Sequence, residues 1–336
     1  MFYPTEKRLV AQGLVLGESN TYRYSNIFPL DGTGWTKMIL TFHASWTTAM
    51  TAPTLGGVYQ FIKAIKLTTS RGETIVDNVP GQGMQLFNTI HDHVPPYYNS
   101  ILLTTSLTAD AVLEIPFCFN FLNRPEDTIF DSGRYSNLQL DITTGVLADI
   151  GATSTAGVYT MDIHIENTLN ALTKDGKSSP FATPYYRSYG PLLNSAQNFY
   201  DLESSLDLGL FGFLVKVGAT GTMAAQFEGP GLDNLTSLTF RDSVRRWVDG
   251  ALDHAYRNER NQLIHFDPNN VYKVTPATPT ATLYPMIGVY PHSFVNFGSI
   301  NEHYATGKKS LIRVECPTTT GTSRTSLLTW GMRALR

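Results

Sequence analysis

The chain has 336 residues, of which 42% are hydrophobic, 12% are aromatic and only 16% are charged, and its formal net charge is −3. This length suits about two domains, each with its own core, and the net charge excludes a protein that binds polyanions through overall basicity. A charged fraction well below the roughly 25% of ordinary soluble domains favours sheets that pack against neighbours over a freely soluble monomer.

Two cysteines, Cys118 and Cys316, are present, and no Cys-x-x-Cys pattern occurs. So few cysteines in so long a chain predict reduced, buried thiols in place of a disulfide framework. The first residues are not typical of a signal peptide, because Pro4 and Glu6 come early and no long apolar core follows. The most apolar window, residues 206–217, holds two charged residues and is far too short to span a bilayer.

Residues 1–34 predict an extended N-terminal arm, whose apolar residues are interrupted by Gly13 and Gly17. The first full strand follows, because apolar and polar residues alternate from 37 to 46. One face of this strand carries Met38, Leu40, Phe42, Ala44 and Trp46, and the other carries Ile39, Thr41, His43 and Ser45.

The rest of the first half predicts one helix among further strands. The helix lies near 81–91, where Met84, Phe87 and Ile90 fall at helical spacing. The strands are rich in β-branched and aromatic residues and are predicted at 61–67, 101–107, 111–121, 135–142 and 158–165.

Residues 170–205 lack a strong period and predict an inter-domain linker that lies along the surface. Beyond it, strands are predicted at 213–217, 223–227, 235–240, 284–289, 293–297, 310–316 and 326–332. One amphipathic helix is predicted within 243–260, with Asp242 as its candidate N-cap. An alternative places the start of this helix later, because Val76-Asp77 in the first half aligns with Val248-Asp249.

The second half repeats the order of the first at a nearly constant offset. The separations are 173 positions for Ile65 and Leu238, 172 for Asp77 and Asp249, 175 for Phe42 and Val217, and 174 for Leu138 and Ile312. Four matches in the same order predict a duplicated domain. The period far exceeds the 20–50 residues of solenoid repeats, so each copy should be a complete fold with its own core. Each half, with about seven or eight short strands and one helix, therefore predicts a complete sandwich or jelly roll.

Three segments carry a resemblance to a known family: 115–117 (Ile-Pro-Phe), 124–129 (Arg-Pro-Glu-Asp-Thr-Ile) and 135–140 (Tyr-Ser-Asn-Leu-Gln-Leu). They are similar to a strand, loop and outer-sheet strand of the double jelly-roll major capsid proteins of tailless icosahedral viruses, many of which carry an internal membrane. Residues 65–75 are similar to the early strand–turn–strand of that family. The resemblance covers residues 35–336 as a pattern, and nothing aligns for 1–34 or 170–205.

The resemblance implies an all-β fold of two tandem eight-stranded jelly rolls, a double jelly roll, each with a short inserted helix. On this basis we expect an N-terminal arm at 1–34, a first jelly roll at 35–169, a linker at 170–205 and a second jelly roll at 206–336. The family is viral and includes bacteriophage proteins. The resemblance therefore implies a structural virion protein made in the host cytoplasm, with homotrimeric, pseudo-hexagonal capsomers that tile an icosahedral shell. The arm would lie along the base of the shell or clamp a neighbour.

The implied partners are other copies of the chain, within the homotrimer and in neighbouring capsomers. Minor capsid or penton proteins and an underlying viral membrane are further candidates. We expect no specific nucleic-acid binding, because the arginines on and beside the predicted helix are nearly balanced by carboxylates. These arginines are Arg241, Arg245, Arg246, Arg257 and Arg260, and the carboxylates are Asp242, Asp249, Asp253 and Glu259.

Candidate chemistry is sparse, and we expect no catalytic residue, no cofactor and no metal. His91-Asp92-His93 is the one close histidine pair, but a metal enzyme of the cupin type would place Glu soon after it. A structural role at a loop end is therefore favoured over a metal site. Gly176-Lys177-Ser178 resembles the end of a phosphate-binding loop, but Ala171 stands where that pattern needs glycine.

Two residue groups leave a role in carbohydrate chemistry open. Glu126, Asp127 and Asp131 could act as paired carboxylates on a glycoside, although carboxylates in a polar turn are common caps. The four tryptophans could line a sugar groove, with core packing favoured for the last two: Trp35, Trp46, Trp247 and Trp330. The alternatives to a capsid protein are thus a two-domain β-sandwich carbohydrate-binding protein, spike or lectin-like, and a bicupin-like enzyme.

Overall fold

The computed structural model describes residues 5–48, 52–53, 58–91, 107–152, 157–168, 180, 182–193, 195–218, 235–251, 289–307, 309–318 and 323–335.

Strands make up most of the described residues in both halves. The first half contains β1 (Thr5–Leu16), β2 (Thr21–Ser25), β3 (Gly34–Trp46), β4 (Ala52–Pro53), β5 (Ile62–Thr69), β6 (Thr74–Val79), β7 (Thr108–Pro116), β8 (Phe130–Asp131), β9 (Leu138–Thr144), β10 (Gly151–Ala152) and β11 (Gly157–Thr168). Its helices are α1 (Val58–Phe61) and α2 (Gly81–His91). The second half contains β12 (Ala182–Leu193), β13 (Phe199–Asp201), β14 (Leu208–Val217), β15 (Ser237–Asp242), β16 (Arg246–Ala251), β17 (Val289–Ser293), β18 (Tyr304–Ala305), β19 (Ile312–Glu315) and β20 (Arg324–Ala334).

Two strand groups form the first barrel. One has the order β1-β11-β3-β7, with β8 beside β3, and the other has the order β2-β9-β5-β6. On β3, Met38, Leu40 and Phe42 are buried in the core, whereas Thr41 and His43 are partly exposed. The alternation predicted for this strand is therefore confirmed from Leu40 to Trp46, whereas Ile39 on the other face is buried as well. The predicted helix is confirmed as α2, which is buried from Gly81 to Ile90.

The second barrel repeats this plan with its own hydrophobic core. One of its two strand groups has the order β12-β20-β14-β17, with β18 beside β14. The other has the order β13-β19-β15-β16. Nine strands of the first half therefore have an equivalent in the same order: β1 and β12, β2 and β13, β3 and β14, β5 and β15, β6 and β16, β7 and β17, β8 and β18, β9 and β19, and β11 and β20. β4 and β10, which pair with each other, have no equivalent among the described strands. The core includes Phe213, Val215 and Phe240 from both groups.

The registers of β3 and β14 match residue by residue. Trp35 pairs with Phe130 of β8, and Leu210 pairs with Tyr304 of β18. The next residue in each strand, Thr36 or Phe211, is skipped in the pairing with β11 or β20, which marks a β-bulge. Both the paired and the skipped residues are 175 positions apart, as predicted for Phe42 and Val217.

The hairpins match in the same way. Leu67 of β5 pairs with Val76 of β6 and Leu140 of β9. Its equivalent on β15, Phe240, pairs with Val248 of β16 and Val314 of β19. These equivalences reproduce the predicted offsets of 173, 172 and 174, so the duplication is confirmed.

The helix predicted within 243–260 is wrong where the structure describes it, because residues 246–251 form strand β16. Asp242 does accept hydrogen bonds from the backbone N–H groups of Val244 (2.7 Å) and Arg245 (3.0 Å). Here, however, its carboxylate closes the turn between two antiparallel strands. Val244 is 81% exposed, so the apolar spacing that predicted a helix does not mark one buried face. The alternative of a later helix start lies at 252–260, outside the described residues.

The predicted arm and linker both contain the first strand of a barrel. β1 pairs with β11 along most of its length, and β12 pairs with β20 in the equivalent place. The prediction of a surface linker is therefore wrong for residues 182–193, of which the first five are buried. Register shifts near Gly13 and Gly190, both with positive φ, break the alternation that would have predicted these strands. The domain boundaries themselves stay predictions.

Other strand limits differ in detail. The strand predicted at 111–121 ends at Pro116. The one predicted at 293–297 is wrong, because β17 ends at Ser293, whose hydroxyl accepts a hydrogen bond from the Val295 N–H (3.2 Å) and forms a turn. The predictions at 101–106, 223–227 and 284–288 lie outside the described residues.

Candidate functional site

The two barrels meet edge to edge, and we call this contact the junction. Strand β6 of the first barrel pairs in parallel with β12 of the second, with Tyr186 opposite Val76 and Arg187 opposite Asp77. The path β17-β14-β20-β12-β6-β5-β9-β2 therefore runs through both barrels as one sheet. Every other strand pairing among the described residues is antiparallel.

A buried aromatic cluster lies beside the junction. The ring of Phe87 on α2 is centred 5.1 Å from that of Tyr186 and 5.4 Å from that of Trp330. Phe119, after β7, lies 5.7 Å from Tyr186 and 5.3 Å from Phe211. All five side chains are at most 1% exposed, and they belong to one hydrophobic cluster with the first barrel's core. The barrels therefore share a core here, which couples them as one body.

Polar contacts fix the register at the same place. The Tyr186 hydroxyl donates to the backbone oxygen of Pro116 (2.7 Å), so the phenol reaches from the second barrel into the first. On another side of the contact, the Asn123 side-chain amide donates to the Phe297 oxygen (2.7 Å), and its backbone N–H donates to the Gly298 oxygen (2.7 Å). Gly298 has φ near +78°, and a Cβ there would meet the Asn123 side chain at 2.8 Å, so glycine is required.

Charged side chains surround the junction. Arg187 lies 3.4 Å from the Asp77 carboxylate of the first barrel and 2.6 Å from the Glu203 carboxylate of the second. Glu203 also accepts from Arg333 (2.8 Å) and from the Tyr185 hydroxyl (3.0 Å). Burial alone would raise the pKa of Glu203, but the hydrogen bond from Arg333 and its other donors hold that pKa below the ordinary value. This network is ionised and paired, which suits a structural role.

Of the predicted histidine pair, the structure describes only His91, the last residue of α2. Its ring lies 4.7 Å from Phe87, 5.0 Å from Phe121 and 4.6 Å from Trp330, centroid to centroid. It is therefore part of the packing between the barrels. No group of three or more metal-ligating side chains occurs among the described residues. Asp92, His93 and 176–178 lie outside them.

The turn carboxylates do not form an obvious catalytic pair. Arg124 lies 3.5 Å from Glu126 and 3.3 Å from Asp127, which places one guanidinium beside both. Burial raises the pKa of Asp127, and Arg124 opposes this rise. Asp131 instead accepts from the Gly133 N–H (3.1 Å) and caps a short 3-10 turn. Asp127 lines an open cleft of about 520 Å³ between the barrels, together with Asn123, Ile300 and Met332.

The tryptophans that the structure describes do not form a sugar groove. Trp35, Trp46 and Trp330 are at most 5% exposed and pack in the cores. The sugar-groove prediction is therefore wrong for Trp35 and Trp46, and the core packing favoured for Trp330 is confirmed. Nothing is described of the Trp247 side chain. Arg241 pairs with Glu315 across β15 and β19 (2.7 Å), and no basic helix forms among the described residues.

Both cysteines are free thiols. Cys316 is buried, as predicted, whereas Cys118 is only partly buried. Burial raises the pKa of each thiol to about 12. None of the described helices is both long and apolar enough to span a membrane.

No protein-family model matches the chain, and no curated protein matches it significantly. Solved structures match it along nearly its whole length. The major capsid protein of Sulfolobus turreted icosahedral virus is 12% identical with a TM-score of 0.65, over 99% of this chain and 97% of that one. The major capsid protein P2 of bacteriophage PM2 is 11% identical with a TM-score of 0.61, over 99% and 98%. The Faustovirus major capsid protein is 8% identical with a TM-score of 0.53, over 100% and 91%.

At such low sequence identities, the similarity to these solved structures concerns the fold alone. The chain has the double jelly-roll fold, and the all-β class with two tandem jelly rolls is confirmed. The resemblance in sequence that predicted this fold is therefore confirmed for the fold.

Proposed function

We propose that this double jelly-roll chain is a viral major capsid protein, a structural component of the virion and not an enzyme. The observation that carries the proposal is the fold itself, which spans nearly the full length of capsid proteins from a bacteriophage and two other viruses. The junction supports it, because a shared core and paired charges make the two barrels a rigid building block.

In this proposal three copies form a homotrimeric capsomer. Six similar barrels around one axis give a pseudo-hexagonal outline, and such blocks can tile an icosahedral shell. A chain with only 16% charged residues suits the large subunit interfaces that this requires. Exposed apolar side chains such as Val15 (71%), Val244 (81%) and Phe297 (83%) offer contact area.

The partners in the proposal are other copies of the chain, within the trimer and in neighbouring capsomers. Minor capsid or penton proteins, an underlying viral membrane and synthesis in the host cytoplasm belong to the same proposal. We also propose that the barrels begin at β1 and β12, which would move the domain limits to about 5–168 and 182–334.

The native mass of the purified chain tests the proposed function. Light scattering on a sizing column should give about 112 kDa, three times the 37.2 kDa of one chain. The same mass should persist when the sample is diluted about a hundredfold. A stable monomer would contradict the proposal and would direct attention to glycan binding and metal analysis.

A further inference from the structure

The strand orders of the described residues show where each sheet ends. Leaving aside the two-residue strands, the end strands are β1, β2 and β7 in the first barrel and β13, β16 and β17 in the second. β2 and β13 are equivalent, as are β7 and β17, so these are end strands in both barrels. β1 and β16 differ, because their equivalents β12 and β6 pair with each other at the junction.

The equivalence extends to single residues on β1 and β12. Arg8 lies opposite Ile165 of β11, and Arg187 lies opposite Thr329 of β20. Ile165 and Thr329 are equivalent positions. In each case the next residue of β11 or β20 pairs with the residue that directly follows the β-bulge in β3 or β14. Arg8 therefore occupies the position of Arg187.

The surroundings of the two arginines agree with this. Arg187 pairs with Glu203, which precedes β14, and Arg8 pairs with Asp31 (2.8 Å), which precedes β3. Arg187 has a second partner, Asp77 of β6. The residue at the equivalent position of β16 is Asp249, because Val76 and Val248 hold the same place in their hairpins.

We propose that the edge of β1 pairs in parallel with the edge of β16 in a second copy of this chain, with Arg8 opposite Asp249. This inference rests on the proposed function and names the contact that would join one capsomer subunit to the next. It repeats between chains the junction that β12 and β6 form within one chain.

The geometry of such a contact favours a ring. Two different edges meet, so the interface is heterologous and does not form a two-fold dimer. A heterologous interface gives a ring when its rotation closes, as three copies do in the proposed capsomer, and an open filament when it does not. The contact would also cover a long exposed edge strand, since β1 is mostly exposed and Leu9 is 49% exposed. Lys7 stands where β12 carries the buried Tyr186, so the contact between chains is more polar than the one within a chain.

Cross-linking tests the register directly. The full-length double variant Arg8→Cys/Asp249→Cys, mildly oxidised with copper phenanthroline, should run as two-chain and three-chain species on a non-reducing denaturing gel. Each single variant and the wild type, which retains Cys118 and Cys316, should stay at one chain. The matched control Val15→Cys/Asp249→Cys places the β1 thiol about 23 Å further along the strand, and it should not cross-link.

Charge reversal provides a second readout. Arg8→Glu or Asp249→Arg alone should weaken the trimer by roughly tenfold or more in dissociation constant, since each brings like charges together. The combined variant should restore the affinity to within about threefold of wild type. The recovery of trimer affinity in the combined variant cannot come from Asp31, because the Arg8→Glu substitution places a second carboxylate beside Asp31 in the single and in the combined variant alike.

The outcomes separate the two proposals. A wild-type trimer without the 8–249 cross-link, or without rescue by the combined variant, would overturn the β1–β16 contact and leave the capsid proposal standing. A wild-type monomer would overturn the capsid proposal itself. A cross-linked dimer that never extends to three chains would contradict the ring.

Discussion

Arg187 connects parts of the chain that are far apart in sequence. Its guanidinium joins β12 to Asp77 on β6 and to Glu203 before β14, and it lies 4.9 Å from the Tyr189 ring. The Asp77 partner could not be predicted from the sequence, because no local pattern marks a charge pair between residues 110 positions apart. The sequence did single out His91, as a loop-end residue favoured over a metal ligand, and Trp330, as a core residue, but it did not place them in one junction.

Glu203 gives the network a defined pH dependence. Its pKa is lower in the folded chain than in the unfolded chain, so the network's contribution to stability is complete above the ordinary glutamate pKa. It is lost as the pH falls through the folded pKa. We predict that Glu203→Gln lowers the free energy of unfolding most at pH 6–7, and that the difference from wild type shrinks between about pH 5 and pH 3.

Denaturant unfolding midpoints of both proteins across that pH range provide the measurement. A difference that stays constant from pH 7 to pH 3 would show that Glu203 contributes no pH-dependent stability.

At the scale of elements, sequence patterns predicted strands and helices unevenly. The helical spacing of Met84, Phe87 and Ile90 correctly predicted α2, where all three side chains are buried. A similar spacing after Asp242 wrongly predicted a helix. There the hairpin that β15 forms with β16 decides the structure, and Val248 takes the strand position of Val76. β1 and β12 were missed because bulges interrupt their alternation.

Helix α2 places its aromatic side chain against both barrels, and this gives a direct test of the shared core. We predict that Phe87→Ala destabilises the protein by about 3–5 kcal/mol, because it removes a fully buried ring at the contact of the barrels. The matched control Leu206→Ala changes a 71% exposed side chain and should cost less than about 0.5 kcal/mol.

Urea unfolding at one fixed chain concentration measures both variants, because assembly makes stability depend on concentration. Equal destabilisation by the two substitutions would refute a shared core.

At the scale of the whole molecule, the duplication was the most predictable feature. Offsets of 172 to 175 residues survive in the sequence because equivalent strands keep their hydrophobic alternation and their bulges. The junction could not be predicted, because it depends on which of several free edges meet in three dimensions. In the proposed assembly the same contact repeats between chains, since it joins two kinds of edge and one of each ends a sheet among the described strands.

An electron-microscopy reconstruction of the purified assembly tests the capsid account most directly. We predict a ring of six barrels from three chains, with hexagonal outline and three-fold symmetry, in which the contact between chains resembles the junction within a chain. A particle of two barrels, or a two-fold dimer with β1 facing solvent, would contradict the account.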